Sequence, residues 1–415
     1  MNILFIHQNF PAQYRHIALH YAREGGHRLV AIAKSSAGRV RGVSHALYKI
    51  GRKPRVSRHP YVQDFENKVH HGDAVLRTAK AVKARGFEPD VILSHPGWGE
   101  DMFIKDVFPD APRLAYAEFY YHANGADVNF DPEISSQQLD EARLRARNAG
   151  QLLSMESADW LVSPTQWQGR QYPSILQPKI SVLHDGINTD IVAPAGNTEI
   201  TLVSGLKLTV ADEVVTYVAR NLEPYRGFHQ FMRAARLILE RRPNAHILVV
   251  GGDQVSYGRG PARGVTWREH LMAEAPIDES RIHFLGRIKY DAYLQVLRLS
   301  RAHIYLTVPF VLSWSMLEAM AAQCLVIGSN TAPVTEVIED GFNGLLVDFF
   351  SPEDIAARVD EVLDQPEKFA PMREAARRTV VEHYALTRQL PKQCKLLEAV
   401  AARAMPYTFD GSDSS

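Results

Sequence analysis

The chain is expected to fold as two doubly wound α/β domains, and three observations carry that expectation. Its 415 residues exceed what a single core usually organises. Short apolar runs alternate with helix-like segments from end to end. The runs are apolar on consecutive positions, the pattern of parallel strands buried on both faces.

In the first half the apolar runs cover residues 3–7, 29–33, 91–94, 114–117, 160–163 and 180–183. Helical spacing fills 73–85 and the long stretch 135–158. The second half repeats the grammar with runs at 214–219, 246–250, 282–285, 304–306, 325–327 and 345–347. Its helical segments are 228–241, 290–299 and 313–322. Two successive βα series imply two sheets, not one. The join falls near 188–208, where Pro, Gly and Thr interrupt the pattern. This sets one domain at 1–190 and a second at 191–385, with a helix at about 386–404 expected to pack back on the first. The last ten residues, PYTFDGSDSS, read as a frayed tail.

Composition narrows the function class. Lys plus Arg equals Asp plus Glu at 47 each, which argues against a dedicated nucleic-acid binder. Two cysteines without a CxxC fit a reducing compartment and exclude a cysteine-built zinc site. The opening MNILFIHQNF does not read as a signal peptide, and no stretch approaches a membrane span. A cytoplasmic protein is expected, with any membrane contact peripheral and at the inner membrane face. Residues 49–59 (KIGRKPRVSRH) hold five basic side chains and no acid. A solvated loop is the usual reading of such a run, and contact with anionic head groups is the alternative.

Open α/β sheets bind ligands at the carboxyl ends of their strands, so the residues just after each strand matter most. In VARNLEPYRGFHQFM, Arg220 closes a strand and Arg226 precedes a helix. Two guanidiniums beside a helix N-terminus can neutralise a diphosphate. In LTVPFVLSWSMLEAMAAQ, Ser313 and Ser315 suit a helix N-cap, and the nearby amides offer a second anion cradle. Glu318 on the first turns of that helix can stabilise the dipole or accept hydrogen bonds from ribose hydroxyls. Three loops of the first half carry further polar residues. HQNFPAQYRHIA holds Asn9 and Gln13, SHPGWGED holds His95, Trp98 and Glu100, and AEFYYHANG holds Glu118 and His122. Gly251-Gly252-Asp253 lacks a completed GxGxxG, which argues against NAD, and His7 reads as a strand-end structural residue. No metal-holding acidic pair stands out, and no cofactor is expected.

The second-half segments VARNLEPYRG, IHFLGRI, LEAMAAQ and EVIEDGFNGLLVD, with VLHDGINTDIVAP at the join, resemble the large family of retaining glycosyltransferases numbered four. The resemblance is firm over 181–348 and looser before it. It implies a GT-B fold, with two Rossmann-like domains facing a cleft. It also implies transfer from a nucleotide-diphosphate sugar to a sugar or lipid-linked acceptor, in cell-surface polysaccharide or glycoconjugate synthesis. By position, Arg220 and Arg226 match the family's diphosphate-binding Arg and Lys, and Glu318 its ribose-holding Glu. Ser313, Trp314, Ser315 and Met316 match amides around the distal phosphate, and Gly286, Arg287 and Ile288 the segment beside the base. His122 is the match for a histidine near the donor sugar, with His95 second. The remaining loop residues, His95, Trp98, Glu100 and Glu118, are acceptor-side candidates. One departure stands out: the family's E-x7-E motif has Phe310 in place of its first Glu. The implied reaction needs no metal, because cations and helix amides take up the leaving group's charge. Two other readings share the architecture, a sugar-nucleotide 2-epimerase using Glu100 and Glu118, and a degenerate nucleotide-sugar binder.

Overall fold

The computed structural model describes residues 1–51, 59–134, 141–196, 198–274 and 276–404. Most of the basic run, the first six residues of the expected 135–158 helix, and the tail lie outside the described residues. The chain divides into two compact units. Unit 1 comprises Met1–Asn129, Ser135–Gly186 and Thr387–Ser415, and unit 2 comprises Phe130–Ile134 and Ile187–Leu386.

Unit 1 is built on seven parallel strands, β1 (Asn2–Ile6), β2 (Arg28–Lys34), β3 (Val43–Tyr48), β4 (Val91–Ser94), β5 (Arg113–Tyr116), β6 (Trp160–Ser163) and β7 (Ile180–Val182). They are ordered β3-β2-β1-β4-β5-β6-β7. The order reverses beside β1, which creates the crevice where such sheets place ligands. β1 shows why its run is apolar throughout. Ile3 and Phe5 pack against α1 (Arg15–Glu24), through Ile17 and Tyr21, and against α12 (Leu386–Ala401), through Leu396, Leu397 and Val400. Leu4 and Ile6 face Val75, Ala79 and Val82 of α2 (Gln63–Ala84) on the other side. The C-terminal helix thus completes the core of unit 1.

Two features differ from the sequence expectation. β3 carries VSHALY, half-exposed along its middle, and so lacks the continuous apolar run of its inner neighbours. It is an edge strand, wetted where a central strand would be covered. Helix α2 begins at Gln63, well before residue 73; its first turns carry Phe65 and Val69 among polar side chains, too sparse an apolar pattern to mark the start in the sequence. Of the long helical stretch, Glu141–Glu156 is observed as α3.

Unit 2 carries a six-stranded parallel sheet ordered β12-β11-β10-β13-β14-β15. Its strands are β10 (Val214–Asn221), β11 (His246–Gly252), β12 (Ile282–Gly286), β13 (Ala302–Tyr305), β14 (Val326–Ser329) and β15 (Leu345–Val347). The join, expected to be irregular, folds as an antiparallel hairpin, β8 (Glu199–Thr201) with β9 (Lys207–Thr209). Strands this short give no readable period. Around the sheet, α5 (Phe228–Arg241) buries Phe228, Phe231, Ala235, Ile238 and Leu239, the stripe its helical spacing predicts. The helices α7 (Tyr290–Leu299) and α8 (Trp314–Ala321) lie in one core cluster through Tyr293, Leu294, Leu297, Met316, Leu317 and Met320. No helix among the described residues is long and apolar enough to cross a membrane.

Candidate functional site

In unit 1 the loops after β1, β4 and β5 bring four sequence-predicted residues together. The amide of Asn9 donates to His7 Nδ1 at 2.9 Å, so the proton of a neutral His7 sits on Nε2. That nitrogen is 3.0 Å from Gln13 Oε1, which turns the amide nitrogen of Gln13 toward Glu118, and Nε2 donates to its Oε1 at 3.1 Å. Burial holds the pKa of His7 well below the usual imidazole range, and the neighbouring His95 lowers it further. His7, read from the sequence as structural, is therefore the first link of a polar chain ending on a carboxylate. A strand-end histidine followed by a polar residue six positions on was the only signal.

His95 follows the same logic from the other side. Its Nδ1 accepts the Gly97 amide at 3.1 Å, which leaves the proton on Nε2. The ring is stacked between Trp98, with centroids 4.7 Å apart, and Tyr116, at 5.5 Å. Its Nε2 lies 3.5 Å from Glu118 Oε2 and has no hydrogen-bond partner although it is buried. Burial opposes charge on this ring, but Glu118, Glu100 and Asp101 outweigh it and raise its pKa. The Gly97 amide opposes the second proton at Nδ1, while the Nε2 proton is present in either state.

Of the other unit 1 candidates, Glu100 and His122 hydrogen-bond groups outside this cluster, and Asn9 joins it through its backbone amide. Glu100 is fully buried, receives the Tyr48 hydroxyl at 2.7 Å and sits 3.9 Å from His71. Burial pushes its carboxyl up to about 7. His122 donates from Nε2 to the backbone carbonyl of Gln171 at 2.7 Å, so that nitrogen is used in holding the loop. It lines a cavity of about 390 Å³ with Tyr120, Tyr121, Asn124, Arg145 and Asn148. Asn9 contributes its amide to His7 and is exposed.

In unit 2 the corresponding strand ends are cationic. Arg220 lies exposed near the end of β10. The chain then turns through Pro224–Arg226, and Gly227 adopts φ +64° to enter α5. A Cβ at Gly227 would stand 2.4 Å from Leu306 Cβ, so both conformation and space require glycine there. The hydrogen bonds of Arg226 go to neutral groups: its Nη1 donates to Thr307 Oγ1 at 3.0 Å and to the Val311 carbonyl at 2.8 Å, while its charge also acts on the Glu223 carboxylate. Arg287 donates to Asn221 Oδ1 at 2.8 Å and to Gln254 Oε1 at 3.1 Å. It crosses Gly252, where a Cβ would come within 2.5 Å of Nε. Within the Gly251-Gly252 pair, which the sequence showed only as an incomplete fingerprint, Gly252 thus makes room for a guanidinium and Gly251 for Leu222.

The carboxylates of this unit are shaped by burial. Glu318, half-buried on α8, accepts the hydroxyls of Tyr290 at 2.6 Å and Tyr293 at 2.7 Å. Burial raises its pKa and the two hydroxyls partly offset that. Neither tyrosine was singled out in the sequence, since an aromatic pair at i, i+3 reads as helix packing. Glu223 accepts the amides of Ser256 at 3.0 Å and Tyr257 at 2.8 Å, and burial lifts its carboxyl to about 6. This fixes Tyr257 against Phe310, with ring centroids 4.8 Å apart, while Tyr225 meets Phe310 edge-on at 5.6 Å. Phe310 is 3% exposed, and the Arg226 guanidinium lies 5.9 Å from its ring.

Ser313 caps α8, its Oγ accepting the Ser315 amide at 3.3 Å. Three amides of the expected anion cradle are engaged within the chain. Ser313 N donates to Tyr305 Oη, Ser315 N to Ser313 Oγ, and Met316 N to the Ser313 carbonyl. Trp314 is 42% exposed on the first turn. Gly286 takes φ +63° at the end of β12 and leads through Arg287 and Ile288 into α7.

Asp131, Glu133 and His229 bring ligand atoms within 4.8 Å of one another. Glu133 is committed to Arg233 by hydrogen bonds of 2.8 and 2.6 Å, and Asp131 lies 2.8 Å from His229 Nε2. A guanidinium bound to one of the three carboxyl or imidazole groups disfavours a second cation there.

Comparison with known proteins bears on both units. Residues 25–192 match the family model described as glycosyl transferase family 4 group, and residues 206–379 match that of glycosyl transferases group 1. The D-inositol 3-phosphate glycosyltransferase of Corynebacterium glutamicum is 28% identical over 310 residues, covering 71% of this chain and 68% of that protein. Its namesake from Mycolicibacterium smegmatis is 27% identical over 238 residues, which is 56% of this chain and 51% of the other. Among solved structures, sucrose-phosphate synthase of Thermosynechococcus elongatus superposes with a TM-score of 0.74 at 17% identity, covering 97% of this chain and 100% of the other. The Anabaena protein HepE, solved with UDP-glucose, gives 0.69 at 16% identity, covering 96% and 100%.

Proposed function

We propose, starting from a chain that is a glycosyltransferase of GT-B fold, that it moves a sugar from a nucleoside-diphosphate sugar to an acceptor hydroxyl, with retention and without a metal. One observation carries the reading: Arg226 and Arg287 are tethered by neutral groups, so their charge is not cancelled by the residues that orient them. Arg226 and Arg220 stabilise the diphosphate as the glycosidic bond breaks, the step at which negative charge on the leaving group grows. Glu318 exchanges the hydroxyls of Tyr290 and Tyr293 for those of the ribose, and Gly286 to Ile288 line the base. Phe310, with Tyr225 and Tyr257, presents an apolar wall where the family has a carboxylate, which suits a donor sugar with an apolar patch such as a deoxysugar. Retention follows the family resemblance, with the acceptor attacking the face the leaving group vacates. Cytoplasmic action in glycoconjugate synthesis, on a sugar or lipid-linked acceptor, fits such donors.

The epimerase alternative needs an exposed acidic pair, and Glu100 is sealed behind Tyr48. A panel of UDP-, GDP- and ADP-sugars, incubated in EDTA and followed by NMR, tests the proposal. Acceptor-independent hydrolysis of one donor, giving transfer with unchanged anomeric configuration on adding acceptor, is expected. Inverted product, a need for Mg²⁺ or Mn²⁺, or epimerised donor would overturn it.

A further inference from the structure

We propose that Glu118 and His95 form a hydroxyl-binding pair that makes the enzyme select an uncharged polyhydroxylated acceptor over a phosphorylated one. The inference rests on the transferase reading above. Its starting point is an unsatisfied donor. His95 is 1% exposed, its Nδ1 is occupied by the Gly97 amide, and its Nε2 proton has no hydrogen-bond partner. The nearest acceptor, Glu118 Oε2, stands at 3.5 Å, beyond hydrogen-bond length. A buried N–H left in this state costs free energy, and one that persists calls for an explanation.

The surroundings make the arrangement rigid. Trp98 and Tyr116 hold the imidazole plane from both faces, and Tyr116 is itself anchored by donating to Asp185 at 3.0 Å. Gln13, fixed by His7, donates to the other oxygen of Glu118, and Gln168 Nε2 donates to its backbone carbonyl at 2.6 Å. The Glu118 side chain is 32% exposed, beside an imidazole that is 1% exposed. A small outward swing of this carboxylate admits one oxygen atom between the two groups.

That oxygen has to accept from His95 Nε2 and donate to Glu118 Oε2. A hydroxyl does both. A phosphate or carboxylate oxygen has no proton to give, and its charge meets that of Glu118 at contact distance. The other oxygen of the carboxylate is held by the Gln13 amide, which His7 orients. Glu118 is thus an acceptor-binding residue, and His7 and Gln13 are positioning residues acting through it.

The test uses the full chain, the donor identified above, and acceptors in matched pairs, each neutral polyol or methyl glycoside against its phosphate monoester. Binding is read by saturation-transfer NMR and turnover by product formation. In the wild type, kcat/KM for neutral members is expected to exceed that for their phosphates by about tenfold or more. Glu118→Gln keeps an acceptor oxygen but loses the charge. It should bring that ratio to within about threefold, with the change mainly in acceptor KM. Equal or greater use of the phosphorylated members by wild type, no saturation transfer to any neutral member, or an unaltered ratio in Glu118→Gln would overturn the proposal. Donor hydrolysis in the same samples separates this failure from that of the transferase reading: its presence leaves the latter standing, its absence removes both.

Discussion

The two units place their polar residues alike, at the carboxyl ends of parallel strands, but with opposite charge. Unit 2 presents guanidiniums and unit 1 a carboxylate. What they share is how the charge is held. Arg226 is oriented by a threonine hydroxyl and a carbonyl, Arg287 by two side-chain amides, and Glu118 by Gln13 beside a histidine. Other charged groups of the chain are held in both ways: Arg298, Arg373 and Arg377 donate to backbone carbonyls, while others are cancelled by opposite charges. Arg113 and Asp101 pair at 3.0 Å in the core of unit 1, and Arg242 meets Glu213 and Asp364 at 2.8 Å each. A charge fixed by neutral partners keeps its field for a ligand, whereas one fixed by a counter-charge spends it on the fold.

The largest effect that could break this contrast is expected at Arg226. Arg226→Ala should lower kcat/KM for transfer by on the order of 10²-fold or more, since a preorganised partner of the leaving diphosphate is lost. Arg226→Lys should retain part of the activity, because the charge stays although the fork to Thr307 and Val311 does not. Steady-state kinetics on folded variants decide it, and an alanine variant with wild-type kcat/KM would reduce Arg226 to a loop anchor.

Phe310 tests the same contrast from the apolar side. Phe310→Glu would put a carboxylate among Tyr225, Tyr257 and the Arg226 guanidinium. It would be buried, and paired with a cation whose charge the transfer needs. Activity is expected to fall by about tenfold or more, the order of effect produced when a catalytic charge is neutralised by a neighbour. A rise in kcat/KM would show instead that Phe310 weakens an enzyme built for glutamate.

How much of this was legible in the sequence follows from what each residue depends on. The buried strands were readable because a parallel strand covered on both faces is apolar on consecutive positions, as along most of β1 and β10. β3 and the β8–β9 hairpin were not, because a wetted edge and three-residue strands carry no such signature. Arg226, Arg287 and Glu318 were legible through their motifs. Their partners were not: Thr307 lies 81 positions from Arg226, and Asn221 lies 66 from Arg287. The His7–Gln13–Glu118 chain spans 105 positions in its last step, and only the folded sheet brings it together. His122 shows the converse, a residue type expected in the right loop whose Nε2 the fold assigns to a carbonyl.

Glu100 sharpens the comparison as a third kind of charge, neither cancelled nor presented. It is sealed with Tyr48 and His71, with Asp101 and His95 acting on it through their charges. Burial lifts its carboxyl to about 7 from an ordinary 4.5. The folded state therefore keeps a proton that the unfolded chain has already lost between those two values. Stability from this group is fully present below pH 4.5 and is lost as pH rises to about 7, with no further change above. The loss amounts to at most about 3 to 4 kcal/mol, since holding one extra proton across a full pH unit is worth about 1.4 kcal/mol. His71, its contact, has a pKa lowered by burial to about 4 and contributes with the opposite slope, so the raw profile of the wild type mixes the two. Glu100→Gln removes one and leaves the other. Denaturant unfolding of both proteins at pH 5 and pH 8 isolates the carboxyl as a double difference: the variant should gain stability relative to wild type on going to the higher pH. A double difference near zero would mean that water reaches Glu100 and that its charge is solvated, which would return it to the set of residues able to meet an acceptor.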